Sequence, residues 1–248
     1  MSCVNQLGYS ADAGRHAAER SEPPSGITTA ASEDGHYTRA VQQPVPGLER
    51  LGRLDVLLVR HAEPEPVGHP DYAEDERPLT DAGRSAANEL AEQFDAVTLS
   101  AVYSSPYTRA VETVKPTADR HSLEVLILTD LRERRLTMTS LPNWREHLEL
   151  AWQDHEYALE GAESGSAAQR RALGVLNLLR VRHPDGGRLL VGSHGNLIAL
   201  ILHALEPTVG FDFHLAMPMP ALYWLEHDGL RWRLMAGHGV DRLASASG

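Results

Sequence analysis

Leu54-Asp55-Val56-Leu57-Leu58-Val59 runs without a break into Arg60-His61-Ala62-Glu63. The first six residues are a short, apolar, β-rich run of the kind buried on both faces of a parallel sheet. A strand that ends directly in charged and titratable residues delivers them to the carboxyl edge of its sheet, where α/β proteins gather their sites. His61 is thus offered as a nucleophile would be. The dipeptide alone carries nothing, because Arg-His recurs at Arg15-His16, Arg120-His121 and Arg182-His183, none of which follows a buried strand.

Outward from this strand, helical and extended patterns alternate. Thr80 caps a helical pattern through Phe94, a strand is expected around Ala101-Val102-Tyr103, and Ser105 as N-cap with Pro106 behind it opens the next helix. Leu123 to Leu128 reads as a third strand, Ala167 to Val181 as a helix, Arg188 to Gly192 as a fourth strand and Asn196 to Leu205 as a helix. Ala221 to Leu225 and Leu230 to Leu234 pair through an Asp228-Gly229 turn. This order predicts an α/β fold, a three-layer α/β/α sandwich with a mostly parallel central sheet. The catalytic domain is expected over residues 53–238, with a small helical cap insertion about 137–165 and a flexible tail over 239–248. Residues 1–52 lack hydrophobic periodicity and carry Pro23-Pro24-Ser25-Gly26 and Pro44-Val45-Pro46-Gly47, the pattern of a disordered extension.

The other strand ends repeat the theme. Val191-Gly192-Ser193-His194-Gly195-Asn196 runs straight into an apolar helix, so His194 stands at a helix N-terminus, where free N–H groups and the dipole favour an anion and Gly195 allows close backbone approach. Ser104-Ser105-Pro106-Tyr107-Thr108-Arg109 places Arg109 in a first helical turn, able to point over the sheet edge. Leu131-Arg132-Glu133-Arg134-Arg135 adds a carboxylate among arginines.

Composition narrows the partner. A formal net charge of −11 opposes a nucleic-acid or anionic-membrane surface, so an anion must be held by a local arginine cluster. Lys115 is the only lysine, so arginine near a given residue means little without context. The single cysteine, Cys3, excludes an internal disulfide and a cysteine-based zinc site, and the thirteen histidines show no metal-binding spacing. No early apolar run suits a signal peptide and no stretch suits a membrane span, so a cytoplasmic protein is expected. The expected partner is a small anion, with no nucleic acid, no membrane and no metal; a homodimer is compatible.

Arg60-His61-Ala62-Glu63, Leu79-Thr80-Asp81-Ala82-Gly83-Arg84, Ser104-Ser105-Pro106 to Arg109, Glu133-Arg134 and Ser193-His194-Gly195, in that order, resemble the histidine phosphatase superfamily, also called the phosphoglycerate mutase-like family, over about residues 54 to 236. The resemblance implies a metal-free phosphohistidine intermediate on His61, in a histidine-type acid phosphatase or other phosphomonoesterase that acts without a cofactor on a small-molecule phosphate ester. Ala62 stands where glycine is commonest, and Pro64-Glu65-Pro66 replaces the small hydroxyl residue and nearby asparagine of many members, which weakens a phosphoglycerate mutase-type reading more than a phosphatase one. A noncatalytic phosphate-binding member is disfavoured by intact site residues. Phosphoryl transfer needs positioning and charge neutralisation. Arg60 and Arg109 would fork onto the phosphate, the Gly195 and Asn196 amides would add donors, His194 would stabilise charge and Glu133 would shuttle the proton. Leu141, Trp144, Leu148, Trp152 and Tyr157 recur at roughly helical spacing in the cap-like stretch. Ordinary packing accounts for such a stripe; the sharper reading is an aromatic face that selects the organic part of the substrate.

Overall fold

The computed structural model describes residues 52–137 and 143–239. The expected extension through residue 51, the tail from residue 240 and Leu141 lie outside the described residues.

The opening apolar run is β1 (Leu54–Arg60), followed by α1 (Asp81–Gln93), β2 (Ala101–Ser104), α2 (Thr108–Arg120), β3 (Val125–Ile127), a 3₁₀ turn at Thr129–Leu131, α3 (Trp144–Gln153), α4 (Gly165–Arg182), β4 (Gly187–Ser193), α5 (Gly195–Leu205), α6 (Phe211–Ala216), β5 (Ala221–His227) and β6 (Trp232–Gly237). The six strands form one sheet in the order β3-β2-β4-β1-β5-β6. β1, β2, β3 and β4 pair in parallel, while β5 and β6 add an antiparallel edge.

Alternation along β1 builds the layers. Leu54, Val56 and Leu58 face a core shared with Leu176, Leu179 and Ile198 of α4 and α5, and Leu57 and Val59 face Leu90, Phe94 and Val114 of α1, the C-cap that follows it, and α2. From Gly195 to Leu202 every residue of α5 is buried, which is why its sequence is apolar all round. Because β4 lies between β1 and β2, the chain reverses direction across the sheet at this point, and the crevice at the carboxyl ends of β1, β4 and β2 is where an α/β sheet places its ligand.

Several local expectations shift. Ser105 does not cap α2, whose N-cap is Tyr107. The Ser105 hydroxyl instead accepts from the Tyr107 amide at 3.3 Å and bonds His194 at 2.7 Å, so residues 105–107 form a bend and the helix starts later. β3 is shorter than Leu123 to Leu128, because Ser122 takes a positive φ and the chain turns after Ile127. The β5–β6 connection is longer than two residues, since the Asp228 carboxylate accepts from the amides of Leu230 and Arg231 and moves the start of β6 to Trp232. In the cap-like stretch, α3 carries Trp144, Leu148 and Trp152; Trp152 packs on the main core and Trp144 is exposed.

Candidate active site

Hydrogen bonding past the strand ends sets the site. The His61 amide donates to the Ser193 carbonyl at 3.0 Å and the Ser105 amide to the Gly192 carbonyl at 2.9 Å, which extends both parallel ladders and brings His61, His194 and Ser105 out side by side. The rings of His61 and His194 meet edge to face with centroids 5.2 Å apart. A Cβ on Gly192 would lie 3.0 Å from the Ala110 carbonyl oxygen, so the missing side chain lets α2 come down on β4 with Arg109 over the sheet edge.

His61 is buried, and its tautomer follows from its partners. Arg109 Nε, which can only donate, lies 3.3 Å from His61 Nε2, so Nε2 carries the lone pair and the Nδ1 proton is donated to the Ala62 carbonyl at 2.8 Å. Thr113 fixes that carbonyl's loop, accepting from the Ala62 amide at 2.9 Å and donating to the Arg109 carbonyl at 2.7 Å. Burial, then the Arg109 guanidinium, with Arg60 and Arg77 adding to them and the Ala62 carbonyl opposing, push the His61 imidazole down to about 3. His194 is fully buried and held well below its usual value by burial, then by His61 and the arginines nearby.

These shifts carry a stability prediction. Between pH 6.5 and about 3 the unfolded chain protonates at His61 while the folded site refuses the proton, and His194 acts in the same direction. The His61 contribution is complete above pH 6.5 and is lost as pH falls toward 3, with a slope of about 1.4 kcal/mol per pH unit. Thermal melting from pH 7 to 4 should drop more steeply in the parent than in His61→Ala; parallel slopes would remove His61 from the acid response.

Arg60, the last residue of β1, lies against Gly195, where a Cβ would come 2.9 Å from its Nε. Its Nη1 donates to the Met217 carbonyl, while Arg60 Nε and His194 Nδ1 are buried with no hydrogen-bond partner among the described residues. Burial lowers the Arg60 guanidinium, and a nearby Glu133 opposes that. Glu133 sits at the N-terminus of α5. Its Oε1 accepts from the amides of Arg134 at 2.8 Å and Leu197 at 3.0 Å, and its Oε2 from Asn196 at 3.1 Å. The Asn196 amide expected to meet phosphate is therefore turned onto Glu133. The Ser193 hydroxyl, donating to the Leu131 carbonyl at 2.8 Å, and Arg171, donating to the carbonyls of Asp130 and Arg132 at 2.6 and 2.9 Å, hold the loop that makes this contact.

Sequence reading missed Glu74, Arg77, Thr113 and Arg171. Arg77 is buried and grips Glu74 through two bonds of 2.7 and 2.8 Å, and Arg109 reaches the same Glu74 carboxylate at 3.1 Å and its carbonyl at 2.6 Å. One exposed carboxylate thus bridges two buried guanidinium groups beside His61. Among the described residues no group of three or more histidine, cysteine, aspartate or glutamate side chains is placed to hold a metal ion, and no helix is long and apolar enough to cross a membrane.

The family model for the histidine phosphatase superfamily (branch 1) matches residues 56–237. Phosphoserine phosphatase 1 of Hydrogenobacter thermophilus is 30% identical over 145 residues, which is 52% of this chain and 66% of that protein, so the chain spans just under two thirds of this relative. A mycobacterial glucosyl-3-phosphoglycerate phosphatase superposes with a TM-score of 0.60 at 24% identity, covering 73% of this chain and 97% of the other. A phosphoglycerate mutase from Bacillus anthracis str. Sterne gives 0.61 at 16% identity, covering 80% and 99%. The two structural likenesses establish the fold.

Proposed function

Because the chain belongs to the histidine phosphatase superfamily (branch 1), we propose that it is a phosphomonoesterase whose nucleophile is His61 and whose chemistry needs no metal. The observation that carries this reading is the state of His61: buried, neutral, with its Nδ1 proton held by a carbonyl and its Nε2 lone pair facing Arg109. A phosphate monoester entering here would take the Arg109 donors to itself and release that lone pair. Arg60 Nε and His194 Nδ1, without partners among the described residues, supply further contacts to the oxygens of the transferring group.

In the first step Glu133 enters as the carboxylic acid: His61 Nε2 bonds to phosphorus, the P–O bond to the alcohol breaks, and Glu133 gives the leaving oxygen its proton and becomes the carboxylate. In the second, Glu133 takes a proton from water, the new oxygen bonds to phosphorus, and the P–N bond breaks to return neutral His61 and inorganic phosphate. The named phosphatase relative supports hydrolysis over transfer to a second acceptor. The purified chain should release phosphate from p-nitrophenyl phosphate at equal rates with and without chelator. No release, or release that chelation abolishes, refutes the reading.

Glu74 and the substrate phosphate compete for Arg109 and Arg77. Removing the carboxylate charge in Glu74→Gln should tighten inhibition by inorganic phosphate, by about two- to fivefold for so exposed a pair. Weaker inhibition would show instead that Glu74 acts by aligning the two guanidinium groups.

A further inference from the structure

Arg109 is held beside His61 by two kinds of contact. Its Nε lies 3.3 Å from His61 Nε2 and its Nη2 3.1 Å from the Glu74 carboxylate, and an entering phosphate monoester takes both of these donors to itself. Its guanidinium carbon also lies over the Tyr107 ring, 4.9 Å from the centroid. Attraction to a π face draws on the cation as a whole and commits no N–H group to an acceptor, so the donors stay available to an anion. This contact therefore survives the exchange that the others do not. The charge needs such support, because burial lowers the Arg109 guanidinium first of all, Glu74 opposes that, and the buried Arg77 adds to it.

The ring is itself fixed. Tyr107 is the N-cap of α2, its amide donates to the Ser105 hydroxyl at 3.3 Å, and its ring meets the His194 ring edge to face, with centroids 4.9 Å apart and planes at 68°. The Ser105 hydroxyl also bonds His194 at 2.7 Å, so the backbone and the ring of this bend are tied to the same histidine. Burial pushes the Tyr107 phenol up from its usual value and Arg109 opposes that, so the ring meets the cation as a neutral phenol. From this packing we infer that Tyr107 is a positioning residue: its ring face holds the Arg109 guanidinium in place while Glu74 gives way to phosphate. The inference rests on the phosphatase reading and adds to it a residue that acts through Arg109 rather than on the reacting atoms. Glu74 and Tyr107 then act in succession, the carboxylate neutralising Arg109 before substrate arrives and the ring supporting it afterwards.

Two substitutions separate the ring face from the rest of the side chain. Tyr107→Phe keeps the aromatic face and removes the hydroxyl, and Tyr107→Leu keeps apolar bulk without a π face. With p-nitrophenyl phosphate, Tyr107→Phe should retain kcat/KM within about twofold, while Tyr107→Leu should lose about five- to thirtyfold, the range of a desolvated cation–π contact, and weaken inhibition by inorganic phosphate to match. In an Arg109→Ala background Tyr107→Leu should cost less than about twofold, because the cation that the ring holds is gone. A Tyr107→Leu enzyme equal to the parent, an equal loss in Tyr107→Phe, or the same loss with and without Arg109 overturns the inference; the last would show a ring that supports only His194 or the fold. Failure of the phosphatase reading looks different, since the parent enzyme itself would then release no phosphate.

Discussion

His61→Ala is expected to lower phosphate release by at least about 10⁴-fold, the scale on which removal of a nucleophile acts when the remaining groups still bind substrate. The expectation rests on how completely the fold prepares this ring. Nδ1 is tied to the Ala62 carbonyl, burial and Arg109 keep the ring unprotonated across the physiological range, and Nε2 keeps its lone pair. The covalent intermediate would be a phosphoramidate, stable in alkali and labile in acid. Rapid alkaline quenching should trap label on His61 in the parent and none in His61→Ala. His194→Ala should slow formation without moving the label, because His194 lies beside the reacting atoms and bonds Ser105 rather than attacking. Label on a hydroxyl or carboxylate, or turnover of His61→Ala near the parent rate, would defeat the mechanism.

The strand ends were legible because each is a run of buried residues broken abruptly by a titratable one. Arg60-His61 and Ser193-His194 follow such runs, and the parallel register of β1 with β4 brings them together. What stayed hidden depends on contacts between distant segments. Glu74-Asp75-Glu76-Arg77 reads as a solvated charge run, and only the Thr108 amide donating to the Asp75 carbonyl at 3.0 Å shows that this loop crosses the start of α2 and hands Glu74 to Arg109. The N-terminus of α5 was recognisable as an anion site, but not its occupant. Glu133 reaches it because Ser193 and Arg171 pull the 129–135 loop inward, a geometry no local spacing encodes. Ser105 has the composition of an N-cap, yet its hydroxyl is committed to His194, so the local preference yields to the tertiary bond.

Glu133→Gln should reduce hydrolysis of alkyl phosphates by about 10²–10⁴-fold, the usual worth of a positioned proton donor, and p-nitrophenyl phosphate hydrolysis far less, because nitrophenolate leaves without a proton. The contrast between substrates is what makes the test decisive here. Glu133 also accepts three backbone amides, and a glutamine in its place would turn an amino group toward at least one of those donors. That mismatch disturbs the start of α5 and so His194, its N-cap, and the damage would fall on every substrate alike. A uniform loss therefore measures the structural role, and only the excess loss on alkyl esters measures proton transfer. Equal losses on both substrates would leave Glu133 as the anchor of the loop against α5 and send the search for the acid to another group near His61.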